Sequence, residues 1–271
     1  MKKLLSIFVL FIIALTVSSC SGVDIDDPNT IYVVATAVPH AEILEQARQL
    51  LEAQGYTLKV TVVSEYTTPN PAVANGSADA NFFQHIPYFD QYNENASSDK
   101  QLVNVAGIHI EPLGLYSKSY TSIDQVKDGD TVIISNSTSD HGRFLNVLVG
   151  AGLITLKDGV NSLTATLEDI QANPKNLVFE QINPELLFSA YDNDQGELVF
   201  INGNFALTGG LNPLSDALIL ESPENNPYVN IVAVKEGREN LDKIKALVAA
   251  LTSDTIKTFI EEHYQGTVIP A

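Results

Sequence analysis

Residues 31–82 read IYVVATAVPHAEILEQARQLLEAQGYTLKVTVVSEYTTPNPAVANGSADANF, and this stretch decides the architecture. Ile31 to Ala35 is an apolar, β-branched run of strand length. Ala41 to Ala53 is periodic instead: Ile43, Leu44, Ala47, Leu50 and Leu51 fall on one helical face, and Gly55 supplies the stop. Leu58 to Val63 alternates as a strand does. Asn70-Pro71 signals a helix start, Asn75-Gly76 a stop, and Ala78 to Phe82 a further short strand. A β-α-β-α-β series of this kind predicts a parallel sheet covered by helices.

The pattern resumes downstream. Thr131 to Ser135 and Leu198 to Ile201 read as strands, as do Leu177 to Ile182 and Val229 to Val234. A helix begins near Asp140 and runs through Phe144 to Val149, to be stopped by Gly150 and Gly152. Leu167 to Ala172, the segment opened by Asn183-Pro184-Glu185, Leu241 to Leu251 and Thr255 to Tyr264 read as helices. The expectation is an α/β chain of two lobes with mostly parallel sheets and a ligand cleft between them. Ile108 to Ser117 and Tyr228 to Val234 are the candidate crossings. Residues 30–112 plus 228–271 would form lobe 1, and 113–227 lobe 2. Asn81 and Asn202 echo each other at the ends of two strands, where open α/β sheets bind ligands.

Before the first strand stands a short basic start, Met1-Lys2-Lys3, and an apolar run from Leu4 to Val17. A membrane-spanning helix takes about 20 apolar residues, so the run fits the core of a signal peptide, residues 1–19. Val17-Ser18-Ser19-Cys20 resembles a bacterial lipobox. It implies a lipid on Cys20, with residues 20–29 as an acidic tether, and a place at the extracytoplasmic face of the cell membrane. Cys20 is the sole cysteine, so no internal disulfide and no cysteine-based metal site can form. Removing Lys2 and Lys3 leaves 13 cationic against 33 anionic side chains, a balance of −20. Such a surface repels nucleic acid and anionic head groups.

Two clusters could carry chemistry. Asn81-Phe82-Phe83-Gln84-His85-Ile86-Pro87-Tyr88 reads equally as a ligand shelf or as a strand-helix turn with buried aromatics. In Ser135-Asn136-Ser137-Thr138-Ser139-Asp140-His141-Gly142-Arg143, a helix N-terminus is crowded with hydroxyl and amide groups, a favourable place for an anion. Arg143 could hold a carboxylate with a bidentate fork. The plainer reading has Asp140 or Ser139 as N-cap and Arg143 on a solvated face. Arginine is scarce (Arg48, Arg143 and Arg238), which favours a role.

Enzyme readings fare worse. Asp140-His141 lies beside serines, but no Gly-x-Ser-x-Gly elbow exists. The five histidines (His40, His85, His109, His141 and His263) show no paired metal spacing, and no phosphate-binding glycine loop is present. No enzyme activity, metal or cofactor is expected.

Several long stretches, in order, resemble the NlpA lipoprotein family, the methionine-binding lipoproteins of ABC importers. They are Pro39 to Leu44, Asp79 to His85 with Pro87-Tyr88, Gly152 to Ile154 with Leu156 to Gly159, Asn173 to Leu177, Ile201 to Ala206, and Ser222-Pro223 with Pro227 to Asn230. The resemblance implies a two-lobed periplasmic-binding fold, type II-like, whose ligand is methionine (L or D) and whose partners are an importer's permease and ATPase. It implies that Tyr66, Phe83, His85 and Tyr88 form one wall. Arg143 would hold the ligand carboxylate, and Asn202 would meet the head group, with Asn204 beside it. An apolar aromatic slot suits a thioether. One position departs: Asp140 stands where the family has Asn, which bears on selectivity. Another amino acid, a short peptide, or a surface adhesin without transport are the alternatives.

Overall fold

Strands with apolar residues on both faces need cover on both sides, and the computed structural model, which describes residues 25–271, provides it twice. The chain starts with β1 (Thr30–Thr36), α1 (Glu42–Glu52), β2 (Thr57–Val63), α2 (Pro69–Ala74), β3 (Ala80–His85), α3 (Ile86–Asn95) and β4 (Leu102–Ile110). The second lobe follows with β5 (Gly114–Tyr116), β6 (Thr131–Ser135), α4 (His141–Gly150), β7 (Thr155–Leu156), β8 (Ile170–Ala172), β9 (Val178–Ile182), α5 (Leu187–Asp192), β10 (Leu198–Ile201), α6 (Gly203–Thr208), α7 (Pro213–Asp216) and β11 (Ile219–Leu220). The chain then returns through β12 (Val229–Lys235), α8 (Asp242–Leu251), α9 (Asp254–Tyr264) and β13 (Ile269–Pro270).

The first sheet has the order β13-β4-β12-β3-β1-β2, the second β11-β5-β10-β6-β9. Alternation along single strands explains the layering. Val132 and Ile134 of β6, with Leu198 and Phe200 of β10, join Phe144, Leu145 and Leu148 of α4 in one core. Ile133, Val199 and Ile201, one residue out of phase, meet Leu187 and Ala190 of α5 on the other face. In the first sheet Ile31, Val33 and Ala35 pack on α1, α8 and α9, whereas Val34 faces Val73 and Phe89. The helical face read at α1 is correct in Ile43, Leu44, Ala47 and Leu51, all buried.

Three expectations need correction. The sheets are mixed rather than mostly parallel: β1-β2, β1-β3, β6-β9 and β6-β10 are parallel, but β12 and β5 join their sheets antiparallel. Strands joined in series by a helix run parallel, whereas β5 and β12 each begin straight after a crossing between sheets and stand outside the β-α-β series. The first crossing is also shorter than expected, and the second lies ahead of the stretch read for it. β4 and β12 lie wholly in the first sheet, so the chain passes between sheets at residues 111–113 and 221–228. Leu167 to Ala172 is not a helix. Thr166 and Asp169 form a reciprocal capping box around a single tight turn, after which Ile170–Ala172 pairs with β7.

The first described residues are pinned. The Lys243 amine, almost fully buried, donates to the carbonyls of Ile25 (2.6 Å), Asp27 (3.0 Å) and Thr30 (3.1 Å) and lies 2.9 Å from buried Asp79. Arg238 donates to the Ile25 carbonyl at 2.8 Å. Residues 1–19 and Cys20 lie outside the described residues. Among those described, no helix is long and apolar enough to cross a membrane.

Candidate functional site

Strand β3 runs three residues beyond its expected end, so His85, not Asn81, stands at its carboxyl end. Asn81 is buried inside the lobe and donates to Asn70 Oδ1 (2.9 Å) and to the Pro69 backbone carbonyl (3.3 Å). The echo with Asn202 therefore fails at that residue and holds at His85. His85 caps α3: its Nδ1 accepts from the Tyr88 backbone N–H at 3.2 Å. That assigns the proton to Nε2, which donates to Asp140 Oδ1 at 2.8 Å. Asn202 Nδ2 donates to the other oxygen of Asp140 at 3.1 Å.

Asp140 occupies the N-cap position of α4 yet makes no side-chain cap bond. It is buried and spans the lobes, with His85 on one side and Asn202 on the other. Burial opposes its ionisation, but the His85 hydrogen bond, with Arg143 and Asn202, outweighs burial and holds its carboxyl below the ordinary value. The capping reading is thereby set aside.

The aromatic wall assembles as expected. The Tyr66 hydroxyl donates across the cleft to Asn204 Oδ1 at 2.6 Å, and the Tyr88 hydroxyl donates to the Tyr66 carbonyl at 3.0 Å. Rings of Tyr66 and Phe83 lie 5.9 Å apart, and those of Phe83 and Tyr88 5.7 Å, at tilted or edge-on angles that aromatic pairs prefer. Burial pushes the Tyr88 hydroxyl up to about 12, so it stays a donor at neutral pH. Together Tyr66, Phe83, His85, Tyr88, Arg143, Asn202 and Asn204 line a small enclosed cavity of about 20 Å³. It opens toward a wider cleft of about 640 Å³ that shares Tyr66 and Tyr88 and runs between Gln91 and Asn136. The wider space is the mouth; the charged groups converge on the smaller one. The smaller space has room for about one water molecule, so the walls must part to admit an amino acid.

Arg143 departs from the plainer sequence reading. It is 3% exposed, not on a solvated face. Its Nε and Nη2 atoms donate to the Glu221 carboxylate, the Nε contact at 3.2 Å. Nη2 also donates to the Glu111 carbonyl at 3.0 Å, and the guanidinium lies 4.3 Å from the centre of the Tyr228 ring. The Nε–Nη2 edge of the guanidinium is thus already engaged. Burial works against this charge, but Glu221 outweighs it and holds the guanidinium above its ordinary value.

Sequence reasoning missed Glu111, Glu221, Tyr228 and Asn230, all in or beside the two crossings. Tyr228 and Asn230 lay in a stretch already singled out by resemblance, which was the available signal. Glu111 and Asn230 line the cavity. Behind them the distant histidines His40 and His109 come together: His109 Nε2 lies 2.8 Å and His40 Nε2 3.3 Å from Glu111 Oε1, and His40 Nε2 lies 3.1 Å from Asn230 Oδ1. These donors lie within 4.8 Å of one another, as a metal site would require. His109 Nδ1, however, has no hydrogen-bond partner among the described residues. A metal on Nε2 would make Nδ1 a buried N–H without an acceptor, against the usual support for a ligating histidine. The hydrogen-bonded reading leaves it a bare lone pair and is the better one. Gly203 fits the same crowding: a Cβ there would stand 2.8 Å from that of Glu111.

Two sheets with separate cores, joined by two short crossings and meeting at a polar-aromatic cavity, define a substrate-binding protein of the two-lobed kind. The NlpA lipoprotein family model matches residues 31–271, and the chain belongs to that family. It is 47% identical to the methionine-binding lipoprotein MetQ of Bacillus subtilis over 100% of this chain and 99% of that one. It is 33% identical to the D-methionine-binding lipoprotein MetQ of Escherichia coli K12, over 92% and 90% of the two chains. A nutrient-binding protein of Burkholderia cenocepacia, solved bound to methionine, superposes with a TM-score of 0.82 at 32% identity, covering 89% of this chain and 99% of that one.

Proposed function

We propose that this chain captures methionine, L or D, or a closely related amino acid, and delivers it to the permease and ATPase of an ABC importer. The observation that carries the reading is the complementarity of the cavity to a zwitterion with an apolar tail. Arg143 supplies a cationic donor at one side. Asn202 Oδ1 is a buried acceptor on the same cavity with no hydrogen-bond partner among the described residues, suited to an ammonium. Between them, Phe83, Tyr88 and Tyr66 offer a polarisable slot for a thioether. The roles of Tyr66, Phe83, His85, Tyr88, Asp140, Arg143, Asn202 and Asn204 belong to this proposal. So does the division into lobe 1 (30–112 with 228–271) and lobe 2 (113–227), which would close on the ligand. Nothing in this constellation supplies an activated nucleophile, and the role is binding without turnover.

A panel of amino acids tests the reading. Methionine at about 100 times its Kd should stabilise the folded protein by ~2.7 kcal/mol, visible as a raised unfolding midpoint, whereas lysine and aspartate should not. A panel in which no amino acid moves the midpoint would sink it. The membrane anchor is proposed to be a lipid on Cys20. Cell fractionation of Cys20→Ser should move the protein out of the membrane fraction, and a variant that stays there would refute the anchor.

A further inference from the structure

We propose that Glu221 is a positioning residue for ligand recognition, acting through Arg143. The inference rests on the amino-acid reading above and names what makes Arg143 usable. Glu221 is tied down from its own side. Its backbone N–H donates to the Leu113 carbonyl at 2.8 Å, and its Oε2 accepts from the Leu113 N–H at 3.1 Å. The carboxylate is therefore fixed between the two crossing segments before it meets Arg143. It engages the Nε–Nη2 edge of the guanidinium. Glu111 takes Nη2 from a second direction, and Tyr228 lies against the flat face.

Every one of these contacts uses Nε, Nη2 or the ring plane. None uses Nη1, which is left for a ligand carboxylate. Arg143 lines the inner cavity and Glu221 does not; Glu221 lines a separate outer cavity that Arg143 also borders. Arg143 is thus the wall between the two spaces, with Glu221 behind it. A free arginine carries many rotamers, and fixing it before the ligand arrives removes an ordering cost from binding. The cradle consists wholly of residues from the crossings, so Arg143 keeps its aim at the hinge while the lobes move.

The opposite role is conceivable on charge alone, and the two differ in sign. Acting only through its field, Glu221 would repel a ligand carboxylate and attract a cation. Glu221→Gln would then tighten methionine and weaken methioninamide, which lacks the carboxylate. As a positioning residue, Glu221 predicts the reverse order. Glu221→Gln should weaken methionine by ~10- to 100-fold, the worth of one charge-assisted hydrogen bond, and leave methioninamide within about threefold of its wild-type value.

The experiment is calorimetric titration of wild type, Glu221→Gln and Glu221→Ala with methionine and with methioninamide, with the ligand-free unfolding midpoint of each variant recorded. A selective loss of methionine in Glu221→Gln supports the proposal. Unchanged or tighter methionine binding, or equal losses for both ligands, overturns it. If Glu221→Ala fails to fold, the comparison of Glu221→Gln with wild type alone decides. Wild type that binds neither ligand is a distinct result, and it overturns the amino-acid reading together with this one.

Discussion

Arg143 and His109 lie on either side of Glu111, and the fold handles them differently. Arg143 keeps its charge in the interior because the Glu221 carboxylate faces it and Tyr228 covers it. His109, fully buried, keeps none: burial holds its imidazole down to about 3, and His40 beside it down to about 4. Glu111 serves both, with its backbone carbonyl on Arg143 and its side chain on the histidines. A buried ionisable group is tolerated either by a matched partner or by staying neutral. In this molecule the paired group faces the cavity, and the neutral ones stand behind it. A recognition charge must persist at every working pH, whereas a supporting hydrogen bond need not carry one.

The largest test of that contrast breaks the pair. Arg143→Ala should cost ~2–5 kcal/mol of ligand binding, read by calorimetry. It should not leave the fold untouched, as a solvated residue would: removing one member of a buried pair costs ~3–5 kcal/mol of stability. Glu221 is 13% exposed, which places the effect at the lower end. Deleting both partners, Arg143→Ala with Glu221→Ala, should recover part of the lost stability and none of the binding. A double variant no more stable than the single one would show that the two do not act as a pair.

The neutral side responds to pH instead. An unfolded imidazole titrates near 6.5, so between that value and about 4 the unfolded chain binds protons that buried His40 and His109 refuse. Their contribution to stability is complete above pH 6.5 and is lost as pH falls, by up to ~1.4 kcal/mol per pH unit for each histidine. Glu111 opposes this in part, since burial raises its carboxyl and lets the folded state take a proton. Denaturant titrations at pH 7, 6 and 5 should show the decline, and His109→Gln should flatten it. Parallel slopes for wild type and variant would remove His109 from the explanation.

Asp140 falls between the two cases, a charge held partly by neutral donors, and its effect should be the smallest. Asp140→Asn keeps the size and replaces charge-assisted bonds to His85 and Asn202 by neutral ones, a change of ~1 kcal/mol. Because its folded carboxyl lies below the ordinary value, its stabilisation is present above about pH 4 and lost as pH falls further. In a competition panel the variant should favour methionine more strongly over other amino acids. Identical rank orders would leave Asp140 as a tie between the lobes.

Much of this was legible in the chain. Strand and helix periods located β1, β6, β10 and α1 nearly to the residue, because each is apolar on faces that repeat every two residues or along one helical stripe. The two-residue strands β7, β11 and β13 have too few residues for a period to show. Resemblance named Arg143, but nothing local to it announces Glu221, 78 positions away. The pairing of His40, His109 and Glu111 was likewise hidden, since only the return of β12 beside β4 brings Asn230 and β1's neighbour His40 onto that strand. Sites assembled at chain crossings leave their signal in three-dimensional adjacency rather than in spacing.

The grip of Lys243 on the first described residues also limits how far the molecule can stray. Five residue-to-residue steps lead from Cys20 to Ile25, and an extended chain covers at most about 3.6 Å per residue. With a lipid on Cys20, the Lys243 corner of lobe 1 stays within ~18 Å of the bilayer. With that anchor the protein would be berthed rather than set adrift, moored by the end that Lys243 holds.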